Sequence, residues 1–261
     1  MPAPVTRLTT IRRAEAGYLD QMLANATPSP RPMITRAPTA AELDALSTIT
    51  ATRLRRLSSS RVSGEALGAY ASALEANRRG ADLNTPLRVS HFVAQLAHEC
   101  ARFARMTESF AYKPDRAALL FPSKFASAEA AAEVLAKDKT GEAFAEHIYG
   151  NRQSLGNTEA GDGYRYRGRG FIQLTGRANY KAMSDRIAVK GVDLVVEPDR
   201  AAEPDIAARI AVAFWKMRDI NAAADHDDVG GVTRIINGGT NGLDERRHLL
   251  GVAKSAFYAR N

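Results

Sequence analysis

The stretch Arg88–Tyr112, RVSHFVAQLAHECARFARMTESFAY, decides how this chain folds. Advancing 100° per residue from Val89 puts Phe92, Val93, Leu96, Ala97 and Cys100 on one stripe, the spacing of a core-facing amphipathic helix. Asn84, Thr85 and Pro86 start that helix, with proline in the first turn, where its missing N–H is not needed. Glu99 falls at the edge of the stripe beside Phe92, while His91 and His98 point the other way. A carboxylate at an apolar border is partly desolvated, which raises its pKa and favours a proton-donating form. Glu108, nine residues on, sits among Thr107, Ser109 and Tyr112, a more polar setting. Two carboxylates whose surroundings pull their pKa values apart are the pattern of an acid/base pair. The competing reading makes Glu99 a solvated flank residue and Glu108 a helix-end charge.

Helical signals continue in both directions. Thr39-Ala-Ala-Glu42 is a capping box that predicts a helix through about Arg56. A second runs from about Gly64 to Asn77, with Gly80 as its C-cap. After Tyr112, a short helix ends at Phe121-Pro122, and others cover Ala128 to Lys137 and Glu142 to Tyr149. The glycine-rich segment Gly150 to Gly170 reads as irregular and FIQLT, from Phe171, as a short extended piece. Helix returns over Arg177 to Ala188, Asp205 to Arg218, Val229 to Ile236 and Leu243 to Tyr258. Strand signals are scarce and no repeat of solenoid period is present, so the expectation is a mainly α domain with one core.

Residues 1–38 differ from the rest. Six of the eleven prolines fall there, with five arginines against Glu15 and Asp20. Thr10 to Leu23 allows a short helix, and Pro28 to Pro32 excludes one, so this is a basic tail or linker. The domain proper is expected over residues 39–261. A net charge of +7 suggests a polyanionic partner: nucleic acid, an anionic membrane or a bacterial wall. The single cysteine, Cys100, excludes an internal disulfide and, on the apolar stripe, reads as a buried thiol. No apolar run reaches the roughly 18 residues of a membrane span, and the N-terminus has no apolar core of a secretory signal. The chain is therefore expected to be made in the cytoplasm, without stable membrane insertion, and to reach an outside target by another protein's agency.

Two chemistries are weighed and set aside. His98-Glu99 begins like a zinc-protease helix but lacks the second histidine four residues on, and Asp225 to Asp228 lacks calcium-loop spacing and reads as a lead into a helix; no metal or other cofactor is expected. YRYRGRGF, Tyr164 to Phe171, interleaves arginine, glycine and aromatics as RNA binders do. Ile172-Gln173 then breaks the RNA-binding strand motif, and no four-stranded sheet is in view, so nucleic acid is not the expected partner. A carbohydrate reading is more economical. Glycines let backbone approach a sugar, Tyr164 and Tyr166 offer flat faces, and Gln173, Thr175 and Asn179 supply amide and hydroxyl groups. INGGTNG, Ile236 to Gly242, adds asparagines in a glycine turn.

AHEC at Ala97–Cys100, the second glutamate nine residues after the first, YRGRGFIQLTGRANY from Tyr166 to Tyr180, and INGGTNGLDER from Ile236 to Arg246 together resemble family 19 glycoside hydrolases. The bacterial and phage endolysin branch is the nearest match. The resemblance covers roughly Thr39 to the C-terminus. It implies a lysozyme-like, two-lobed helical domain with a cleft and a monomer acting on a polysaccharide. By the same resemblance, Glu99 corresponds to the general acid, Glu108 to the general base, and Thr175 to a hydroxyl that holds the attacking water. Gln173, Asn179 and Asn237 match sugar-binding positions, and Arg246 an arginine that supports the carboxylates. The implied reaction is inverting hydrolysis of a β-1,4 bond, in peptidoglycan or, alternatively, chitin; a catalytically inactive glycan- or nucleic-acid-binding module is the reading of a different class. Cys100 departs from the small polar residue usual after the His-Glu pair, and the long loops of plant chitinases are missing.

Overall fold

A computed structural model describes residues 37–137 and 139–259. The helix expected over Thr10–Leu23 and the proline run Pro28–Pro32 lie outside the described residues. The described chain is mainly helical with very little β structure, as the sequence predicts: its only ladder contacts are the isolated bridges Thr107 to Arg169 and Arg169 to Leu174. In place of the expected single core, the chain divides into two compact units. The first takes residues up to Arg102 and from Phe214 onward, and the second is Phe103–Ala213.

The first unit holds α1 (Ala40–Leu46), α2 (Ala51–Arg55), α3 (Gly64–Asn77) and α4 (Pro86–Glu99). From the C-terminal half come α11 (Asn221–Ala224), α12 (Val229–Asn237) and α13 (Leu243–Tyr258). The Thr39–Glu42 capping box forms, but the helix it opens stops at Leu46. Thr50 then caps α2 by accepting from the Arg53 N–H. Two strong N-caps eleven residues apart split what periodicity alone joins into one helix. Gly80 is not a C-cap: the chain runs on as a 3-10 turn over Arg78–Ala81, and Asp82 takes the left-handed position (φ 52°).

Helix α4 packs along α13 and is more deeply buried than an amphipathic stripe predicts. All its residues from Pro86 to Ala97 except Arg88 are buried. Its polar groups find partners both within the helix and far along the chain. Ser90 donates to the Pro86 carbonyl, His91 Nε2 lies 2.8 Å from Asp227 Oδ1, and Lys254 takes the other Asp227 oxygen. Burial lowers the His91 pKa, so the ring is neutral. Phe92 meets Trp215 edge to face with centroids 5.2 Å apart. Cys100 is fully buried, as expected. Asp228 caps α12 by accepting from the Gly231 N–H, so the acidic run does lead into a helix.

The second unit comprises α5 (Pro114–Leu120), α6 (Ala128–Leu135), α7 (Glu142–Tyr149), α8 (Asp162–Arg165), α9 (Arg177–Ile187) and α10 (Pro204–Met217), whose last residues belong to the first unit. Phe144 on α7 anchors an aromatic core: Phe125 stacks on it at 5.4 Å and Tyr112 at 5.2 Å, with Phe110 and Phe121 alongside. This cluster sets the surroundings of Glu108.

Candidate active site

Glu99 is the last residue of α4, and α13 supplies its partner. Arg246 is buried at 2% exposure and donates from Nη2 to Glu99 Oε1 at 2.5 Å. Its Nη1 donates to Gln95 Oε1 and its Nε to the Asn241 carbonyl at 3.3 Å. Asn237 Nδ2 donates to the same carbonyl, so the INGGTNG turn, α13 and the end of α4 are tied into one network. His98 Nδ1 lies 2.9 Å from Glu245 Oε2. Gly242, at φ 71°, packs so tightly on the His98 ring that a Cβ there would collide with it. Beyond Glu99 the chain turns through three consecutive left-handed residues, Ala101, Arg102 and Phe103. This conformation costs L-residues roughly 1–2 kcal/mol each. Hydrogen bonds of Arg102 with Ser59 and Leu57 hold it in place.

Glu108 lies in the second unit, where residues 106–108 pair with 168–170. The Glu108 N–H donates to the Gly168 carbonyl at 2.8 Å, and the Gly170 N–H to Met106. Its carboxylate accepts from the Gly168 N–H at 3.1 Å and from the Tyr149 hydroxyl at 3.0 Å. Burial against the aromatic core pushes its pKa up, and the Gly168 and Tyr149 hydrogen bonds offset only part of that. Burial and the adjacent Glu108 charge likewise push the Tyr149 hydroxyl up, so it stays a donor.

Gly168 is where the site converges. A Cβ there would lie 3.1 Å from Gln173 Oε1, 3.3 Å from Glu108 Oε2 and 3.4 Å from Thr175 Oγ1. Only glycine leaves that space open. Thr175 donates to the Gln173 carbonyl, which leaves its lone pairs to accept a hydrogen from water. Gln173 (φ 50°) commits its amide N–H groups to the Arg105 and Gly170 carbonyls, so Oε1 remains as a fixed acceptor. Exposed Asn179 braces the loop by donating to the Thr175 carbonyl at 2.7 Å.

The surroundings of the two glutamates are the reverse of those read from sequence. Glu108 is the desolvated one: burial raises its pKa, Tyr149 reaches it from 41 residues on, and Phe110 and Phe144 line the same cavity. Glu99, expected at an apolar edge, is held by a buried cation. Arg246 is a holder of Glu99: it is buried, and Nε, Nη1 and Nη2 each donate to protein. Tyr166 is also corrected. Its ring is 1% exposed, its hydroxyl donates to Val195 and Tyr180 packs edge-on at 5.3 Å, so no sugar can stack there. Tyr164 is half-buried, with the Arg167 guanidinium 4.1 Å from its ring centroid. The structure groups Glu99, Arg246 and Asn237 in the first unit and Glu108, Gln173, Thr175, Asn179 and Tyr164 in the second. Sequence reasoning missed Tyr149 and Gln95. Gln95 stands one turn before Glu99 on α4, and Tyr149 belongs to no motif. Among the described residues, no cluster of three or more His, Cys, Asp or Glu could hold a metal ion, and no helix is long and apolar enough to cross a membrane.

No family model matches the chain. A glycosyl hydrolase family 19 domain-containing protein of Haemophilus influenzae is 35% identical over 180 residues, 69% of this chain and 84% of that protein. Acidic endochitinase pcht28 of Solanum chilense is 37% identical over 95 residues, 29% of this chain and 37% of its own length. Among solved structures, chitinase C from Streptomyces griseus aligns over 82% of this chain and 96% of its own, with 17% identity and a TM-score of 0.49. The second unit thus carries a buried, hydrogen-bonded carboxylate beside a fixed threonine and glutamine. The chain belongs to glycosyl hydrolase family 19 and is a glycosidase.

Proposed function

We propose that this glycosidase cuts β-1,4 bonds of peptidoglycan by inversion, as an endolysin-type enzyme that acts on the wall after release from the cytoplasm. The observation that carries the reading is the convergence of Glu108, Thr175 and Gln173 on the space beside Gly168. Glu108 takes a proton from the attacking water, and desolvation raises the proton affinity a base needs. Thr175 accepts a hydrogen bond from that water, and Gln173 Oε1 accepts from the sugar. Glu99 gives a proton to the leaving oxygen; Arg246 engages only its Oε1, leaving Oε2 to carry the proton. Inversion needs carboxyl groups about 6.5–9.5 Å apart in the working enzyme, against about 5 Å for retention. The net charge of +7 supports an anionic wall as substrate. Chitin is the second reading, favoured by the likeness to the endochitinase of Solanum chilense.

The test is turbidity loss of outer-membrane-permeabilised cells, run beside chitin oligomers, with the anomer of the first product followed by NMR. Lysis with the inverted α-anomer is expected; cleavage of chitin oligomers without lysis would transfer the assignment to chitin. Tyr149→Phe removes a donor to the Glu108 carboxylate and so raises its pKa further. The acid limb of the pH–rate profile is then expected to move up by about one pH unit, the equivalent of ~1.4 kcal/mol. An unmoved limb would remove Tyr149 from the site.

A further inference from the structure

The cavity that contains Glu108 has a charge pattern hydrolysis alone does not require. It encloses about 490 Å³ within the second unit, and its charged lining residues are Glu108, Lys139 and Arg167: one carboxylate and two cations among hydroxyls and aromatic walls. Arg167 is pre-organised. Its guanidinium stacks on Tyr164, its Nη1 is fixed to the Tyr164 carbonyl at 3.0 Å, and its nearest carboxylate is exposed Asp199, 3.8 Å from Nη2. A planar cation held on one face and one edge, with its charge loosely compensated, is suited to receive a carboxylate on the remaining edge. Lys139 is exposed and lines the same cavity, adding a second positive charge. Tyr164 and Arg167 also line an adjoining cavity of about 500 Å³ of mixed charge, with Arg165 and Arg169 beside Glu142, Glu146 and Asp199, so a substituent longer than one sugar has somewhere to go.

We infer that this cavity is a subsite for a sugar bearing an acidic substituent, with Arg167 and Lys139 as the residues that select it. A plain N-acetylglucosamine chain carries no such group, whereas the wall glycan carries peptides with free carboxylates on alternate sugars. The inference rests on the wall-glycosidase reading only in taking a glycan as the ligand. It asks for charge recognition at Arg167 and Lys139, which the reaction itself does not need.

The probe is a muramoyl dipeptide, N-acetylmuramic acid carrying alanyl-glutamate, beside its dimethyl ester, which has the same shape without the charges. Binding of both to the full chain is followed by NMR titration; neither contains a bond for the enzyme to cut. The acid is expected to bind at least about fivefold tighter than the ester, the scale of one part-exposed ion pair. That preference should weaken as salt is raised and shrink in Lys139→Ala, an exposed change that spares the core, and further in Arg167→Gln. Equal binding of acid and ester, or a preference undiminished in the doubly substituted protein, would overturn the inference. Wall lysis without the binding preference sinks this subsite alone. A binding preference without lysis sinks the proposed activity alone.

Discussion

Glu108→Gln is expected to slow hydrolysis by about 10²–10⁴-fold while raising the melting temperature at neutral pH. The two effects have one cause. Glu108 lies against the aromatic core, and burial raises its pKa above the ordinary 4.5. A carboxyl whose folded-state pKa is raised contributes stability that is fully present below the unfolded value and is lost as the pH rises through the folded one. At pH 7 the native protein therefore carries an unfavourable buried charge. Glutamine has the shape of the neutral acid at every pH. Its oxygen can accept from the Gly168 N–H, and its amide can donate to Tyr149, whose hydroxyl can rotate to accept where it donated before. The melting difference should be positive at pH 7 and close as the pH falls toward 4.5; a difference that stays flat with pH would mean the carboxyl is not desolvated. Glu99→Gln should slow wall cleavage by a similar factor for a different reason, and leaving-group chemistry separates the two. An aryl glycoside that expels a good leaving group needs little protonation, so loss of an acid barely slows it, whereas loss of the base slows it as much as any substrate. Retained aryl-glycoside cleavage in Glu99→Gln and its loss in Glu108→Gln would fit the assigned roles. The opposite result would exchange them.

What the sequence makes legible is whatever is settled locally. The helices Gly64–Asn77, Glu142–Tyr149 and Leu243–Tyr258 run where their periodicity and flanking signals put them. Thr85 and Pro86 open α4 at the expected residue. The split of α1 from α2 was written in Thr50, a second cap inside an apparently continuous helix. Illegible is whatever depends on partners distant in sequence. His91 reads as solvent-facing because nothing nearby satisfies it; its partner Asp227 is 136 residues away. Glu108 reads as polar because its chain neighbours are Thr107 and Ser109, yet Tyr149, which donates to it, lies 41 residues on. Tyr164 and Tyr166 look equivalent in the motif, but the turn that ends α8 buries Tyr166 and leaves Tyr164 at a cavity wall. The chemistry-bearing residue types could be picked from the motifs, and the environments that tune them could not.

Arg246→Met is the second large effect, and here stability and rate should fall together. The substitution leaves Glu99 Oε1 and Gln95 Oε1 without the arginine donors that now reach them, and the Asn241 carbonyl with Asn237 Nδ2 alone. Removing one partner of a buried ion pair costs about 3–5 kcal/mol. The low end applies, about 3 kcal/mol, because the Glu99 side chain keeps 22% exposure and water can approach it. Urea melts should show that loss, and the rate should fall with it, since the acid is no longer held in one orientation. Adding Glu99→Gln to Arg246→Met removes the stranded charge, so the double variant should be more stable than the sum of the single changes predicts. A coupling of about 1–3 kcal/mol is the expected size for groups in direct contact, and strict additivity would mean that the pair is not a pair in solution. Arg246→Lys sharpens the point. One arginine uses Nε, Nη1 and Nη2 to serve acceptors on α4 and in the Asn237–Asn241 turn. A lysine ammonium keeps the charge but cannot span acceptors so arranged. It should recover part of the stability and little of the rate; recovery of both would show that Glu99 needs only a nearby positive charge and not the three-point clamp.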